Sequence, residues 1–348
     1  MKNLLQTINK YLFKHPAIRD IAKGVLGSKI ITNSKAYQNL ILNKAKELNN
    51  REGAIFTNSI CIETTLNCNS RCVMCAHCYN KMNGTMSMEL FQKIIDDCVT
   101  NNIKTVSLSV YGEPFMDPNF FKRIEYLRSK GLTYTFISNG SLMSPEKIDR
   151  LFALGGLLGV WFSVNGFYKS TYEKVMEPLK RETSYNNILA LFQKRKRLGI
   201  TTPTVTISCV KTKWLKRGEV GKLTKFWKQA GAESIITGEL WPRMGGLSNE
   251  FIQKEIGNLS KVHSKVDQWK SPCRALWGEF QVFYDGRVGA CCFDADRRRL
   301  ILGDLNTQTL GEIKQGKVLQ GLRKSHLCGN RSKHAICGSC TYNGTWFE

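Results

Sequence analysis

Three closely spaced cysteines constrain this chain more than any other feature of its sequence. Cys68, Cys72 and Cys75 form a CxxxCxxC pattern directly after an apolar, strand-like run at residues 60–66. This spacing lets a short loop turn three sulfurs towards one point, and three thiolates can bind three irons of a cubane cluster. The fourth iron then keeps an open coordination position, which a metal site needs in order to act on a ligand.

A fourth thiol close by leaves a second interpretation open. Cys78 lies three residues after Cys75, so four thiolates could close a tetrahedral zinc site or a fully ligated iron–sulfur site. Spacing alone does not decide between these sites.

The charge balance predicts an affinity for anions. The 348 residues include 51 Lys+Arg against 28 Asp+Glu, which gives a formal net charge of +23. Such an excess attracts nucleic acid, nucleotide-linked substrates or an acidic membrane surface, although a basic solvated surface is the simpler explanation. A hydrophobic fraction of 42% indicates a folded protein with one large core or two moderate ones.

The thirteen cysteines indicate a reducing compartment. They are odd in number and grouped as CxxxCxxC and CxxC, a pattern that favours metal binding over a disulfide framework. No run reaches the roughly 18 apolar residues of a membrane span, and lysines interrupt the apolar runs near the N-terminus, so no signal peptide is predicted. We therefore expect a cytoplasmic protein.

Hydrophobic periodicity predicts an α/β architecture. Residues 1–58 show helical spacing with interspersed lysines, which suits either helices docked on the protein or a basic amphipathic segment on an anionic membrane. From residue 59 onwards, strand-like and helical stretches alternate. The predicted strands are 59–66, 106–111, 133–138, 159–164, 204–210 and 233–237, and the predicted helices are 87–101, 118–130, 144–154, 184–198 and 218–230.

Repeated βα units imply a parallel sheet with right-handed crossovers. Six units suffice for a partial barrel and fall short of a closed eight-stranded one. The predicted fold is thus a partial (β/α)6 TIM-like barrel at residues 59–245. A helical extension at 1–58 precedes it, and a small cluster-binding domain at 265–348 follows.

Polar and glycine-containing segments follow the predicted strands. The carboxyl ends of the strands share one rim in such a fold, and active sites of βα barrels lie there. Each segment alone is adequately explained as a turn, but together with the three-thiol loop they predict a site. The segments are Tyr111-Gly112-Glu113-Pro114, Ser138-Asn139-Gly140, Ser163-Val164-Asn165-Gly166 and Thr237-Gly238-Glu239.

In this order the motifs resemble the radical S-adenosylmethionine (SAM) superfamily. CxxxCxxC after a first strand looks like that family's cluster loop, and Gly112-Glu113-Pro114 is similar to its GEP motif, with Tyr111 in place of the usual first glycine. The resemblance implies that Cys68, Cys72 and Cys75 bind a 4Fe–4S cluster whose open iron binds SAM. It also implies contacts to SAM from Gly112, Glu113, Pro114, Ser138, Asn139, Ser163, Asn165 and Met74. Cys78 lies beyond the motif and is read as a non-ligand.

A second group of cysteines lies near the C-terminus. Cys273, Cys291, Cys337 and Cys340 surround a predicted hairpin with Asp285-Gly286 at its turn, and four thiolates suit either zinc or an iron–sulfur cluster. Their order resembles the SPASM/Twitch auxiliary-cluster domain and implies one auxiliary 4Fe–4S cluster. We expect Cys292 to be a packing residue and Cys328 a spare thiol.

A closed auxiliary cluster favours an electron-transfer role, and hence a radical SAM oxidoreductase that removes two electrons from its substrate. Candidate bases for the accompanying proton are Asp294, Glu239 and Asp117. The substrate classes open to such an enzyme are sugars, aminocyclitols, nucleotide-linked small molecules and peptides, and RNA modification is a further alternative. A donor such as flavodoxin or ferredoxin would supply the first electron.

A different class of function stays open on the sequence alone. A zinc-stabilised nucleic-acid-binding protein would use both cysteine groups as structural sites and the net charge for phosphate contacts. It would leave Gly112-Glu113-Pro114 unexplained, and the chain carries no clear nucleic-acid motif.

Overall fold

The computed structural model describes residues 34–50, 58–75, 83–239, 272–278, 280–291, 294, 298–334 and 337–340. The predictions for Cys78, Cys292, most of the N-terminal segment and the domain boundaries at residues 245 and 265 lie outside these residues. The helices are α1 (Lys35–Asn50), α2 (Met88–Thr100), α3 (Phe120–Ser129), α4 (Pro145–Leu154), α5 (Lys169–Val175), α6 (Arg181–Arg197), α7 (Glu219–Ala230), α8 (Leu310–Gln315) and α9 (Lys317–Leu327). The strands are β1 (Ser59–Ile62), β2 (Thr105–Ser107), β3 (Thr133–Ser138), β4 (Leu157–Ser163), β5 (Thr204–Lys211), β6 (Ser234–Glu239), β7 (Gln281–Val282), β8 (Arg287–Gly289) and β9 (Ile301–Asp304).

The described residues pack into two compact units. Unit 1 contains residues 34–50, 272–278 and those from 320 onwards, and unit 2 contains residues 58–239 and 280–319, apart from the stretches that are not described. Unit 2 contains all of the strands that the structure describes. The domain boundaries expected at residues 245 and 265 stay predictions.

A nine-stranded sheet forms the centre of unit 2. Its order is β6-β5-β4-β3-β2-β1-β7-β8-β9, and β1 to β6 pair in parallel. This confirms the α/β class and the partial barrel, since the sheet is an open series of strands. Helices follow β2, β3, β4 and β5, as the sequence pattern predicts.

The predicted hairpin extends the same sheet beyond β1. β7 pairs in parallel with β1, and β8 and β9 add in antiparallel fashion. The Glu63 amide continues this pairing, donating to the Val282 carbonyl at 2.8 Å. A segment far along the chain therefore borders the first strand, which local sequence patterns could not indicate.

Alternation along the strands separates two faces of the sheet. On β3, Tyr134 and Phe136 are buried while Thr133 and Thr135 are half-buried. The buried rows pack under the crossover helices, as expected for period-two side chains. On β4, the opposite face leaves Trp161 45% exposed.

Unit 1 contains α1 and the short 3-10 turn Arg274–Trp277. Ile41 and Ala45 of α1 are fully buried, and α1 packs against that turn. The structure thus confirms a helix within the N-terminal segment. No helix in the described part of the chain combines the length and apolar character needed to cross a bilayer.

Candidate metal-cluster site

The loop at residues 67–75, here called the cluster loop, is anchored where it leaves β1. The Asn67 amide donates to Thr65 Oγ1 at 3.1 Å, and that hydroxyl lies 3.0 Å from Thr85 Oγ1. The Asn67 carbonyl in turn accepts from the Glu113 amide at 2.8 Å. The start of the loop is therefore tied to the segment that follows β2.

The far side of the cluster loop is anchored to the segment after β4. The Val73 amide donates to the Val175 carbonyl at 2.9 Å, and Ser70 Oγ donates to the Met176 carbonyl at 3.3 Å. Within the loop, the Cys75 amide donates to the Cys72 carbonyl at 2.9 Å. This turn joins the second and third predicted ligands, and Cys75 is close enough to help raise the pKa of Cys72.

The three thiols are half-buried and close enough to influence one another. Burial raises the pKa of the Cys68 thiol to about 12, and negative charge on Glu113 and Cys75 adds to the effect. The pKa of Cys72 is also raised, first by burial and then by Cys75. Three thiolates here would therefore repel one another unless a cation were bound among them.

These donors fit an iron–sulfur cluster. Metal binding deprotonates thiols because the cation compensates for burial and mutual repulsion. Among the described residues, no three His, Cys, Asp or Glu side chains could hold a single metal ion together. Cubane ligands bind different irons and so stand further apart than ligands of one ion.

The Gly112-Glu113-Pro114 segment lies directly against the start of the cluster loop. Gly112 has φ +80°, and a Cβ atom there would lie 2.3 Å from the Thr65 carbonyl oxygen. Only glycine therefore fits this position without moving the backbone. The requirement explains why a glycine precedes Glu113 even though Tyr111 replaces the other glycine of the family motif.

Glu113 connects the ends of β2 and β3. Its Oε1 accepts from Ser138 Oγ at 2.7 Å, and its Oε2 accepts from the Asn139 amide at 2.8 Å. Burial raises the pKa of Glu113 to about 7, while these hydrogen bonds act in the opposite direction. The carboxylate thus fixes the strand ends at which SAM contacts are predicted.

Asn139 connects the end of β3 to the cluster loop. Its Nδ2 donates to Asn69 Oδ1 at 3.0 Å, and Asn69 Nδ2 donates to Ser141 Oγ at 2.9 Å. Asn69 lies between the first two cysteines of the loop. The loop and the ends of β2 and β3 are therefore joined by one hydrogen-bond network.

The residues after β4 join the same neighbourhood. Asn165 Oδ1 accepts from the Val210 amide at 2.8 Å, and the Asn165 amide points at Met176 Sδ at 3.5 Å. Met176 also accepts from Ser70 of the cluster loop. Ser163 pairs in register with Ser208. The structure therefore brings the predicted strand-end residues together, while their contacts to SAM stay predictions.

Met74 and Arg71, two residues of the cluster loop, differ in exposure. The Met74 side chain is only 7% exposed, whereas Arg71 in the same loop is exposed. The loop therefore has a buried side and a solvent side. The contact of Met74 with adenine stays a prediction.

Two of the three predicted bases have their oxygens occupied by stabilising contacts. Asp117 accepts from Arg123 Nε at 2.7 Å and from the Asn119 amide at 2.9 Å. Asp294 accepts from the Leu300 amide at 2.6 Å and from Arg299 Nε at 3.1 Å. Glu239 is the last residue of β6 and pairs in register with Lys211. No contact of these residues tests the predicted catalytic role.

The structure reveals one acidic residue that sequence reasoning missed. Glu63 continues β1 and is fully buried. Its Oε2 accepts from Arg298 Nη2 at 2.6 Å and from the Tyr284 amide at 3.2 Å, while Oε1 has no hydrogen-bond partner among the described residues. The available signal was a glutamate inside the apolar run that precedes the cluster loop.

Burial dominates the electrostatics of Glu63. It raises the pKa of this carboxyl to about 7, against the opposing effect of the Arg298 guanidinium. Side chains alternate between the two faces along a strand. Glu63 therefore lies on the same face as the half-buried Cys61 and on the opposite face from the buried Ile60 and Ile62. It therefore belongs to the sheet face that the crossover helices leave uncovered.

In unit 1, two predicted auxiliary ligands are buried close to one another. Cys273 and Cys340 are 8% and 7% exposed, and Cys340 is near enough to contribute to the raised pKa of Cys273, after burial. Cys337 and Cys340 belong to one short turn, in which the Cys340 amide donates to the Cys337 carbonyl at 3.3 Å. A CxxC turn with one half-buried and one buried thiol fits a metal cluster.

A buried histidine accompanies Cys273. His326 is fully buried, and its Nδ1 accepts from the Cys273 amide at 3.2 Å. Burial, aided by the positive charges of Arg331 and His334, lowers the pKa of His326 to about 3. This neutral acceptor orients the backbone at Cys273 and was not predicted from the sequence.

The remaining cysteines divide between the units. Cys291 lies in unit 2, where its carbonyl accepts from the Asp294 amide at 3.3 Å. Cys328 is exposed, and Cys98 and Cys209 are buried. The assignment of Cys291 as a fourth auxiliary ligand stays a prediction.

Two family models match the chain. A model described as the radical SAM superfamily matches residues 62–213, and one described as an iron–sulfur cluster-binding domain, SPASM, matches residues 273–341. The first match includes the cluster loop and the ends of β1 to β5. The second includes all four C-terminal cysteines of the predicted auxiliary site.

Curated relatives are distant. The chain is 23% identical over 245 residues to the tungsten-containing aldehyde ferredoxin oxidoreductase cofactor-modifying protein of Pyrococcus furiosus, covering 70% of this chain and 68% of that protein. It is 33% identical over 93 residues to the antilisterial bacteriocin subtilosin biosynthesis protein AlbA of Bacillus subtilis, covering 26% of this chain and 20% of that protein.

Solved structures share the fold. BtrN in complex with AdoMet and 2-DOIA aligns with a TM-score of 0.53 at 15% identity, covering 84% of this chain and 98% of BtrN. Streptococcus suis SuiB bound to the precursor peptide SuiA aligns with a TM-score of 0.62 at 15% identity, covering 97% of this chain and 84% of SuiB. At this level of identity the likeness concerns the fold.

Proposed function

Because the chain belongs to the radical SAM superfamily and carries a C-terminal SPASM domain, we propose that it is an oxidoreductase that removes two electrons and two protons from its substrate. Its cofactors are 4Fe–4S clusters and SAM. The observation that supports oxidation most directly is the existence of two separate thiol groups, one half-buried at the strand ends and one in unit 1, where Cys273 and Cys340 are buried.

In this proposal Cys68, Cys72 and Cys75 hold the first cluster and leave one iron for SAM. When bound, this pair of cofactors supplies a 5′-deoxyadenosyl radical that takes a hydrogen atom from the substrate. The chain contributes the fixed strand ends, with Gly112, Glu113 and Asn139 holding the backbone in place. Ser138, Ser163, Asn165 and Met74 complete the predicted SAM site.

Cys273, Cys291, Cys337 and Cys340 would hold the auxiliary cluster. Four protein ligands leave no iron open for substrate, so the simplest role of this cluster is to accept the second electron. A lower count of thiolates would open a coordination position and change that role. The proposal therefore depends on Cys291 as the fourth ligand.

We propose that Glu63 is the base that accepts the accompanying proton from the substrate. A base must have a free lone pair and a pKa near the operating pH. Within the described part of the chain Glu63 Oε1 has no hydrogen-bond partner, and the pKa of Glu63 is raised to about 7. Oε1 would accept the proton of a substrate hydroxyl or ammonium group. Asp117 and Asp294 are weaker candidates because their oxygens already hold neighbouring backbone and side chains.

A small polar molecule is the proposed substrate class, such as a sugar, an aminocyclitol or a nucleotide-linked compound. The excess of basic residues and the fold likeness to a complex of BtrN with 2-DOIA support this choice. Flavodoxin or ferredoxin is the proposed electron donor. We also propose a cytoplasmic location, since the thiols have to stay reduced before cluster assembly.

Peptide modification is the second candidate. The observation that favours it is the likeness to SuiB with its precursor peptide over 97% of this chain, together with local identity to AlbA. Both candidates share the first steps. They differ in whether the product is a small molecule or a modified peptide.

The decisive experiment is anaerobic purification and reconstitution with iron and sulfide, followed by incubation with SAM and dithionite. We expect iron–sulfur absorbance and formation of 5′-deoxyadenosine. A colourless protein that contains zinc and no iron would overturn the enzyme assignment. Mass spectrometry of cell extract treated with the reduced enzyme and SAM should then reveal a product lighter by two hydrogens, and the size of that product separates the two candidates.

A further inference from the structure

Exposed basic side chains cluster at the carboxyl edge of the sheet, beside the cluster loop. Their positions are the loop itself, α5 after β4, and the segment between β5 and α7. We call this surface the cationic rim, and it consists of Arg71, Lys174, Lys213, Lys216 and Arg217, all of which are exposed.

Direct contacts join these three segments. The Val73 amide of the cluster loop donates to the Val175 carbonyl at the end of α5. The Lys174 ammonium lies 5.1 Å from the centroid of the Trp214 ring, and that of Lys213 lies 4.9 Å from it. Trp214 thus connects α5 to the β5–α7 segment, and the rim is a continuous surface.

The acidic residues of this region do little to neutralise the rim. Glu219 is fully buried and its carboxylate accepts from the Phe167 amide at 2.8 Å and from Thr171 Oγ1 at 3.0 Å. Glu173 pairs with Lys180 at 3.8 Å. Glu177 is exposed beside Arg71 and offsets one positive charge. Five basic side chains against this one carboxylate leave the described surface with a positive excess.

The rim lies on the solvent side of the cluster loop. Arg71 is exposed there, whereas Met74 in the same loop is buried on the other side. An electron that reaches the first cluster has to cross this protein shell, and electron transfer slows steeply as the distance grows. The outer side of the loop is therefore a short route from solvent to the three thiols.

We propose that the cationic rim is the docking surface for an acidic one-electron carrier protein of the flavodoxin or ferredoxin type. This inference rests on the proposed function, because only a radical SAM enzyme needs such a carrier. Opposite charges steer diffusional encounter and raise association rates. Small, short-lived interfaces are typical of electron-transfer partners. Basic residues with an aromatic ring also suit single-stranded nucleic acid, which the test below treats as the competing outcome.

The test compares two reductants of the same reconstituted full-length enzyme. The variant Lys174→Glu/Lys213→Glu/Arg217→Glu reverses three charges of the rim. With a reduced bacterial flavodoxin, 5′-deoxyadenosine should form at least roughly tenfold more slowly than in the wild type. With dithionite, which needs no docking surface, the rate should stay within about twofold. Isothermal titration calorimetry with the same flavodoxin should show a matching loss of affinity, and wild-type binding should weaken as salt is raised.

The matched control is Lys196→Glu/Arg197→Glu/Lys228→Glu. These exposed residues lie at the last turns of α6 and α7, and crossover helices run back to the opposite edge of a parallel sheet. The control changes the net charge equally, and we expect flavodoxin-driven turnover close to that of the wild type. Equal losses of flavodoxin-driven turnover in both variants would show that the effect depends on net charge and not on the rim, and this would overturn the proposal.

Two further outcomes would also overturn it. One is unchanged flavodoxin affinity in the rim variant, and the other is displacement of flavodoxin by a short single-stranded RNA that binds the rim more tightly. Failure of the proposed function would look different, since the wild type would then form no 5′-deoxyadenosine even with dithionite. The calorimetric comparison would still decide whether the rim binds the carrier.

Discussion

In the cluster loop, Cys68, Cys72 and Cys75 are half-buried and hydrogen bonds tie the loop to three strand ends. In unit 1, Cys273 and Cys340 are buried, and a neutral histidine accepts from the Cys273 amide. The first arrangement leaves three thiols partly accessible, and the second surrounds Cys273 and Cys340 with protein, while Cys337 is half-buried like the cluster-loop thiols. A cluster that binds SAM and receives an electron needs access, whereas one that only accepts an electron needs insulation.

Loss of the cluster-loop thiols should have the largest effect. In Cys68→Ala/Cys72→Ala/Cys75→Ala we expect roughly half of the iron to remain, because one of two clusters is lost, and no 5′-deoxyadenosine to form. Iron analysis and chromatography of the SAM products measure both. The control Cys328→Ala changes an exposed thiol and should retain all iron and activity. Unchanged SAM cleavage in the triple variant would show that Cys68, Cys72 and Cys75 do not hold the cluster that binds SAM.

The thiols of the CxxC turn in unit 1 should be separable from SAM cleavage. Cys337→Ala/Cys340→Ala should also lose roughly half of the iron, yet continue to form 5′-deoxyadenosine with dithionite. Substrate oxidation should stop, because the second electron has no acceptor. Product analysis in the presence of cell extract checks this, and persistent product formation would remove the electron-acceptor role from unit 1.

The fit of the cluster loop against the glycine of the GEP segment should be sensitive to one methyl group. Gly112→Ala places a Cβ 2.3 Å from the Thr65 carbonyl oxygen, so we expect the KM for SAM to rise about tenfold and the free energy of unfolding to fall by about 1–3 kcal/mol. Urea unfolding and steady-state kinetics measure these effects.

Gly131→Ala is the matched control for that substitution. Gly131 has φ +76° and open space around the added Cβ, so this variant should lose about 1–2 kcal/mol from backbone strain alone. The KM for SAM should not change. Equal KM values in both variants would show that the contact between Gly112 and Thr65 does not shape the SAM site.

The prediction with the smallest expected effect on activity is a pH dependence of stability. Glu63 and Glu113 have pKa values raised to about 7 by burial. Between the ordinary glutamate pKa and pH 7, the folded protein binds more protons than the unfolded chain, so the free energy of unfolding falls as pH rises through this window. Each group should contribute on the order of 3 kcal/mol to that decrease.

Urea unfolding of the apoprotein at pH 5 to 8 tests this dependence. Glu113→Gln keeps one acceptor for the Asn139 amide, turns the other position into a donor to Ser138 Oγ and removes the titrating group, so the pH slope should decrease. Glu177→Gln, at an exposed position, should leave the slope as in the wild type. An unchanged slope in Glu113→Gln would show that titration of Glu113 does not contribute to the pH dependence of stability.

Much of unit 2 could be predicted from the sequence because its signals are local. Strand periodicity, the CxxxCxxC spacing and the strand-end motifs each depend on neighbouring residues, and the parallel sheet, the order of β1 to β6 and the gathering of Cys68, Gly112 and Asn139 follow from them.

Tertiary structure alone decided the contacts between distant parts of the chain. The pairing of β7 with β1 and the ion pair between Glu63 and Arg298 join residues more than 200 positions apart, and local periodicity contains no information about such partners. The same holds for His326 at Cys273 and for the connection of Lys174 to Trp214. The sequence by itself determined which cofactor chemistry the chain can carry, because ligand type and spacing are local properties. Folding decided which carboxylate is left with a free oxygen and which basic side chains share a surface, because burial and charge depend on every element packed nearby.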